Sequence, residues 1–341
     1  MKRAALFACV WLTVMLGGCT FGQAESQVAT TESTGGGTVR VWIAGEQFPL
    51  KAFQAFTEAT GIAVQPQFGD ERDFVRQVLQ HKGQPQADLF WSDNALDLAV
   101  LAGRGAFEAY RSPHAAKIPS TAKDSDGLWY GLTERRLALL YKPAKLSDDK
   151  VPKTLDQLEQ FAHKGKIGVP APSSSLWTSA GAAIVPVQGE FGMQSFFSGL
   201  KEWNVYFAKE DPPGAALVLE EKVPLLLSTS EQALRHMSKQ RKDAKHTKDA
   251  ALRIQPLVAD NGEPLNVTTG IGILRGTEKK KEAEQFIDFM LREQNRSDLA
   301  TARMHEALAS TGPASRLHPD EMVQLSPLIA HYLAVSFPDA P

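Results

Sequence analysis

Cysteine is nearly absent from this chain: Cys9 and Cys19 are the two in 341 residues. That excludes a disulfide scaffold and any Cys-rich zinc or iron–sulfur centre. An excess of one charge is lacking as well, since 37 Lys and Arg face 39 Asp and Glu, a formal charge of −2. Such a balance offers no electrostatic footing for a nucleic acid or an anionic membrane surface. No run approaches the ~18 apolar residues of a membrane span, and the densest late run, Val223 to Leu227, is strand-sized. The histidines show no HxH or HExxH spacing, and there is neither a GxSxG elbow nor a GxxxxGK[ST] phosphate loop. Zinc hydrolase, serine hydrolase and transporter ATPase therefore have no motif to stand on.

What is present suits a globular protein: 43% hydrophobic and 22% charged residues, in a length that fits about two domains of roughly 150 residues. The start is distinctive. Lys2 and Arg3 precede an apolar run from Ala4 to Leu16, too short to span a membrane but suited to a signal-peptide core. It ends in Leu16-Gly17-Gly18-Cys19, which resembles a bacterial lipobox. The expectation is a signal peptide over 1–18 and a lipid on Cys19, with Cys9 discarded; a plain secretory signal with an incidental Cys19 is the alternative. Residues 19–37 are small, polar and nearly uncharged, a composition that tethers rather than folds. The chain is then extracytoplasmic and held to the cell membrane by lipid alone.

From Thr38 strands and helices alternate. Val39 to Ile43, Ile62 to Phe68 and Asp88 to Trp91 read as strands, separated by helices bearing Phe53 and Phe56, then Phe74, Val75, Val78 and Leu79. That order implies a parallel sheet flanked by helices. A second set follows the loop Pro113 to Gly127. It comprises strands at Leu137 to Tyr141, Ile167 to Val169, Val205 to Phe207 and Pro224 to Leu227, and a capping box at Thr154 to Gln157. A return strand, Gly270 to Leu274, leads into a helix whose Ala283, Phe286, Ile287, Met290 and Leu291 form a core-facing stripe. In open α/β sheets ligands gather at the carboxyl ends of strands. The loops at Ala44 to Phe48, Gly69 to Glu71, Ser92 to Asn94, Leu132 to Arg136, Pro170 to Ser179 and Ser228 to Glu231 are thus the ones to inspect.

The ordered segments VWIAG, FTEATGIAVQPQFG, QADLFWSDN, GAFEAY, IPSTAKDSDGLWYGLTERRLALLYKP, HKGKIGVPAPSSS, EEKVPLLL and EAEQFIDFMLREQN resemble bacterial solute-binding proteins of the ferric-ion-binding type. The broader family also takes aminoethylphosphonate and thiamine and serves ABC importers. The resemblance implies a two-lobed α/β fold of the type II periplasmic-binding-protein class, each lobe a mostly parallel sheet flanked by helices. A ligand cleft lies between the lobes and closes by hinge motion. Its segmentation would be 38–132 for the first part of lobe 1, 133–266 for lobe 2 and 267–341 for the return to lobe 1.

The family's iron binders place adjacent tyrosines where this chain has Ser228, Thr229, Ser230, Glu231 and Gln232, and none of its five tyrosines is adjacent to another. Their first-strand His corresponds to Glu46 or a neighbour, and their carboxylate to Asp93. The candidate metal set is Glu46, Asp93 and Glu231, whose oxygens suit a hard cation or an organic cation; each acid also suits a helix cap. Arg135 and the serines Ser173, Ser174 and Ser175 instead favour an anion, and Trp177 follows that loop. A zwitterion satisfies both sets. The expected role is a monomeric, non-catalytic, cofactor-free binding component that captures a small polar solute or metal ion for a permease with a separate ATPase. Presentation to a membrane sensor, or a secreted enzyme on the same fold, are the alternatives.

Overall fold

The computed structural model describes residues 36–45, 51–81, 83–164, 166–171, 174–208, 215–243, 252–303, 305–307 and 331. The signal segment with Cys19, most of the tether, Glu46 and Ser173 lie outside the described residues.

The first half builds β1 (Thr38–Ala44), α1 (Lys51–Thr60), β2 (Ala63–Gly69), α2 (Glu71–Gln80), β3 (Leu89–Ser92), α3 (Ala95–Gly103) and β4 (Phe107–Glu108). β1 is central, pairing in parallel with β2 (Thr38↔Ala63 to Ala44↔Gly69) and with β3 (Val41↔Leu89 to Ile43↔Trp91). Its apolar residues from Val41 to Ala44 are all buried, as expected of a strand covered on both faces. α2 begins at Glu71, three residues ahead of Phe74, the first apolar residue of its pattern. Asp70 caps it there by accepting from the amides of Arg72 and Asp73.

Next come β5 (Tyr130–Tyr141), α4 (Leu155–Lys164), β6 (Ile167–Val169), α5 (Ser175–Gly199), β7 (Val205–Phe207), α6 (Ala216–Leu219), β8 (Leu225–Thr229) and α7 (Ser230–Asp243). The chain closes with β9 (Arg253–Pro256), β10 (Asn266–Leu274), α8 (Lys280–Met290), α9 (Glu293–Arg303) and β11 (Glu306–Ala307). Pro186 and the positive φ of Gly189 bend α5, so that it is two helices meeting at a kink.

The strand order is β2-β1-β3-β10-β5-β8-β6-β7, with β4 on β10 and both β9 and β11 on β5. β5 belongs to two sheets. Its first part pairs antiparallel with β10, from Ile271↔Tyr130 to Asn266↔Arg136. Its second part pairs antiparallel with β8, from Leu137↔Thr229 to Tyr141↔Leu225. Beyond β8, the strands β6 and β7 run parallel. The architecture is the expected two-lobed α/β type, with antiparallel β5 and β10 set between the parallel strands. β5 starts at Tyr130 rather than Leu137 because Thr133, Glu134 and Arg135 are buried polar residues inside a strand, which no apolar alternation announces. Among the described residues no helix is long and apolar enough to cross a membrane.

One apolar cluster runs through both halves, from Trp42, Phe74 and Phe90 to Leu137, Trp177 and Leu225, and a second lies under α1 and α8. Phe53 and Phe56 of α1 meet Phe286 and Phe289 of α8, with Phe56 and Phe286 edge-to-face at 5.1 Å. In the second half a chain of rings runs from Trp177 to Phe197, Phe196 and Trp203. Asp93, Glu231 and Arg135 remain as charges among these apolar layers.

Candidate functional site

Asp93 follows β3, Arg135 lies on β5 just before the strand passes between sheets, and Glu231 opens α7. The topology brings the three together. Arg135 Nη1 is 3.2 Å from Glu231 Oε2 and 3.5 Å from Asp93 Oδ2, while Nη2 donates to the Asp93 carbonyl (3.0 Å) and to Ser179 Oγ (3.2 Å). Only 6% of the Arg135 side chain is exposed, so these pairs act with little screening by water. Its Nε–H has no acceptor among the described residues. Gly45, at the end of β1, adopts a positive φ, and a Cβ there would collide with the Asp93 carboxylate.

Further cations complete the network. Arg235, one turn along α7, donates from Nε and Nη2 to Glu231 Oε1, both at 3.0 Å. Arg303, at the end of α9 and wholly buried, places Nη2 2.5 Å from Asp93 Oδ1. His305 Nε2 lies 2.9 Å from Glu231 Oε2, and its Nδ1 is 2.7 Å from Thr133 Oγ1, which in turn is 2.8 Å from Thr269 Oγ1. A neutral imidazole with Nδ1 accepting from Thr133 carries its proton on Nε2, on the side of Glu231. Burial and the charge of Arg303 push His305 down to about 4. Burial alone would raise Glu231, but His305, Arg135 and Arg303 outweigh it and hold its carboxyl well below the usual range.

Glu71, at the first turn of α2, behaves oppositely. It accepts from the Asp93 amide (3.1 Å), from Asn94 Nδ2 (3.1 Å) and from the Ser92 hydroxyl. Burial, with Asp97 and Asp93 nearby, pushes it well above the carboxylate range. A cleft of about 220 Å³ opens over these residues, lined by Asp93, Arg135, Ser175, Ser179, Glu231 and Arg235 among others.

The sequence candidates divide accordingly. Asp93, Arg135, Ser175 and Glu231 line the cleft. Trp177 does not: it is fully buried, donates its indole N–H to the Ala171 carbonyl (2.9 Å) and packs on Phe197, so it is a core residue. Ser228 and Thr229 are also corrected. Both are fully buried in β8, where Ser228 Oγ bonds Gln232 and Thr229 Oγ1 accepts from the Gln232 amide. Ser230 accepts from the Arg136 amide (3.0 Å) and Ser174 caps α5. Asp93 and Glu231 are not open metal ligands, because arginines occupy them. Among the described residues no group of three or more His, Cys, Asp or Glu is placed to hold a metal ion. Arg235, Arg303 and His305 were not sequence candidates; Arg235, four residues after Glu231 on one helix, was the one with a local signal.

A family described as bacterial extracellular solute-binding proteins matches residues 42–297. The chain belongs to this family. Relatives of this solute-binding protein include a Major ferric iron-binding protein of Neisseria meningitidis, 25% identical over 256 residues, 73% of this chain and 74% of that one. An Fe(3+)-binding periplasmic protein of Serratia marcescens is 27% identical over 146 residues, so the chain spans 43% of that relative's length. Among solved structures, iron-bound HitA from Pseudomonas aeruginosa superposes with a TM-score of 0.69 at 20% identity, covering 87% of this chain and 99% of HitA. At that identity the likeness shows the fold of the solute-binding protein.

Proposed function

We propose that this chain is the solute-capturing component of an ABC importer, held outside the membrane by lipid on Cys19, and that its solute carries an anionic group. The observation that carries the reading is the charge arrangement. Asp93 and Glu231 are already paired with three guanidiniums, Arg135, Arg235 and Arg303, and His305 is neutral at pH 7. Both carboxylates are therefore satisfied by arginines, as Asp70 on the cleft wall is by Arg72, so none of the three is left open to a cation. α2, α5 and α7 also begin at its walls, through Glu71, Ser175 and Glu231, and helix N-termini favour anions.

Ferric ion bound through paired phenolates is not the chemistry supported. Tyr110 is bonded to Asp288 (2.7 Å), Tyr130 to the Tyr110 carbonyl and Tyr141 to Asp148 (2.8 Å), while Tyr206 lies beneath Lys166. Tyr332 lies outside the described residues. A binding component needs no reacting group, only a cleft that holds solute until a permease with its ATPase receives it, and the protein would act as a monomer. In this reading lobe 1 takes 38–132 and 267–341, lobe 2 takes 133–266, and Asp93 and Glu231 already meet at Arg135.

Calorimetry on the detergent-solubilised full-length protein tests the ligand class: inorganic phosphate or citrate binds, and ferric nitrilotriacetate gives no coloured complex. A coloured ferric complex with no anion binding overturns the reading. Mass spectrometry of the same material locates the anchor, with acylated Cys19 as first residue the expected result and an unmodified start elsewhere the contrary one.

A further inference from the structure

The short stretch that ends α9 and leads into β11 supplies two buried side chains to opposite sides of the cleft floor. Arg303 reaches Asp93, which belongs with β3, and His305 reaches Glu231, which follows β8. The stretch is fixed by β11, which pairs with Thr133 and Glu134 of β5, and by the Arg303 guanidinium lying 5.4 Å from the Trp91 ring centre. We propose that Arg303 and His305 are the specificity-determining residues of this cleft, positioning Asp93 and Glu231 and withdrawing both from cation binding, so that it admits an anion. The inference rests on the anion reading above and goes further by naming what sets the sign.

Oxygen donors such as paired carboxylates hold hard cations when left open. Here each carboxylate is occupied from the side away from the cleft. Asp93 Oδ1 takes Arg303, and Glu231 Oε2 takes His305. A wholly buried arginine is costly to desolvate, and an apolar side chain would fill its volume more cheaply. What only the charge provides is compensation of Asp93. The imidazole sets Nε2 against Glu231 Oε2 without contributing a further charge, its other nitrogen being committed to Thr133.

The test uses the full-length protein with two probes, inorganic phosphate and manganese(II), read by calorimetry and by metal content after dialysis. In Arg303→Met the phosphate Kd should rise at least tenfold and about one equivalent of manganese should be retained. Arg303→Lys, which keeps the charge, should stay within about threefold of wild type and retain no manganese. Arg303→Met that melts like wild type, binds phosphate like wild type and retains no manganese overturns the proposal. If Arg303→Met does not fold, the pair His305→Leu and His305→Gln decides. Weakened phosphate binding and manganese uptake in the leucine variant alone support the proposal, and identical behaviour of the two overturns it. A wild type that ignores phosphate and takes manganese overturns the anion reading itself. A wild type that binds phosphate beside insensitive variants removes this inference and leaves that reading standing.

Discussion

Replacing Arg135 with alanine removes the guanidinium that touches acids from both sheets. Breaking a buried ion pair by deleting one partner costs about 3–5 kcal/mol, mainly because a charge is left uncompensated. Here Asp93 retains Arg303, and Glu231 retains Arg235 and His305. The low end, about 3 kcal/mol, therefore applies. At roughly 2–4 °C per kcal/mol for 150–250 residues, and less for a longer chain, melting should fall by about 6 °C. Affinity for an anionic solute should fall too, because losing one partner of a buried charge pair costs about 2–5 kcal/mol, at least tenfold in Kd. Scanning calorimetry and phosphate titration read the two effects separately. Arg135→Lys should recover part of the first and less of the second, since an ammonium keeps the charge but cannot span Asp93, Glu231 and Ser179 as the planar fork does. A variant Arg135→Ala that melts within about 1 °C of wild type would refute the argument, since it would show that the acids need no cation between them.

Acid should weaken the fold in a defined window. His305 sits near 4 against an ordinary 6.5, so the unfolded chain binds a proton that the folded chain refuses. The share that His305 contributes is complete above about 6.5 and is lost as the pH drops toward 4, by about 3 kcal/mol; Glu231, held low, adds a further loss below its ordinary range, while Glu71, held high, acts in the opposite sense. Urea midpoints at pH 7, 5.5 and 4.5 should show this slope in wild type and a flatter one in His305→Gln; equal slopes count against it. Trp177→Ala should cost about 3–5 kcal/mol by opening a core cavity while leaving phosphate affinity unchanged in the folded fraction. Loss of affinity without loss of stability would return Trp177 to the cleft.

Much of the scaffold is legible in the residues. The runs around Val41, Leu89 and Ile271 are apolar enough to announce buried strands, and Phe53, Phe56 and Phe286 recur at helical spacing. Asp93 and Arg135 are found because loops at strand ends and a resemblance both point there. The remainder of the site is illegible for a physical reason. Arg303 and Asp93 are 210 residues apart, so their pairing exists only once two sheets and α9 have assembled. His305 carries no spacing signal, because its partners are Glu231 and Thr133 rather than another histidine. Trp177 misleads for the opposite reason. Its place after a serine-rich loop suggests exposure, yet α5 turns it inward against Phe197. The beginning of β5 is obscured by its polar residues, which are buried because they pair with β10, β11 and the cleft.

The strand shared by both sheets also imposes an order on assembly. Sheet formation along Leu137–Tyr141 needs β8, which arrives within ninety or so residues of the chain, roughly the span of one small folding unit. Between β3 and the earlier part of β5, by contrast, β10 must be inserted, and it is synthesised only at Asn266–Leu274. Closing so long a loop delays those contacts. A nascent chain can therefore complete the later sheet first and leave β1, β2 and β3 waiting with an open edge. Arg303 and His305 emerge later still, so Asp93 and Glu231 spend the longest part of synthesis without their full set of partners. Truncation after α8 would arrest the molecule at that stage, with its strands paired and its central acids only partly compensated.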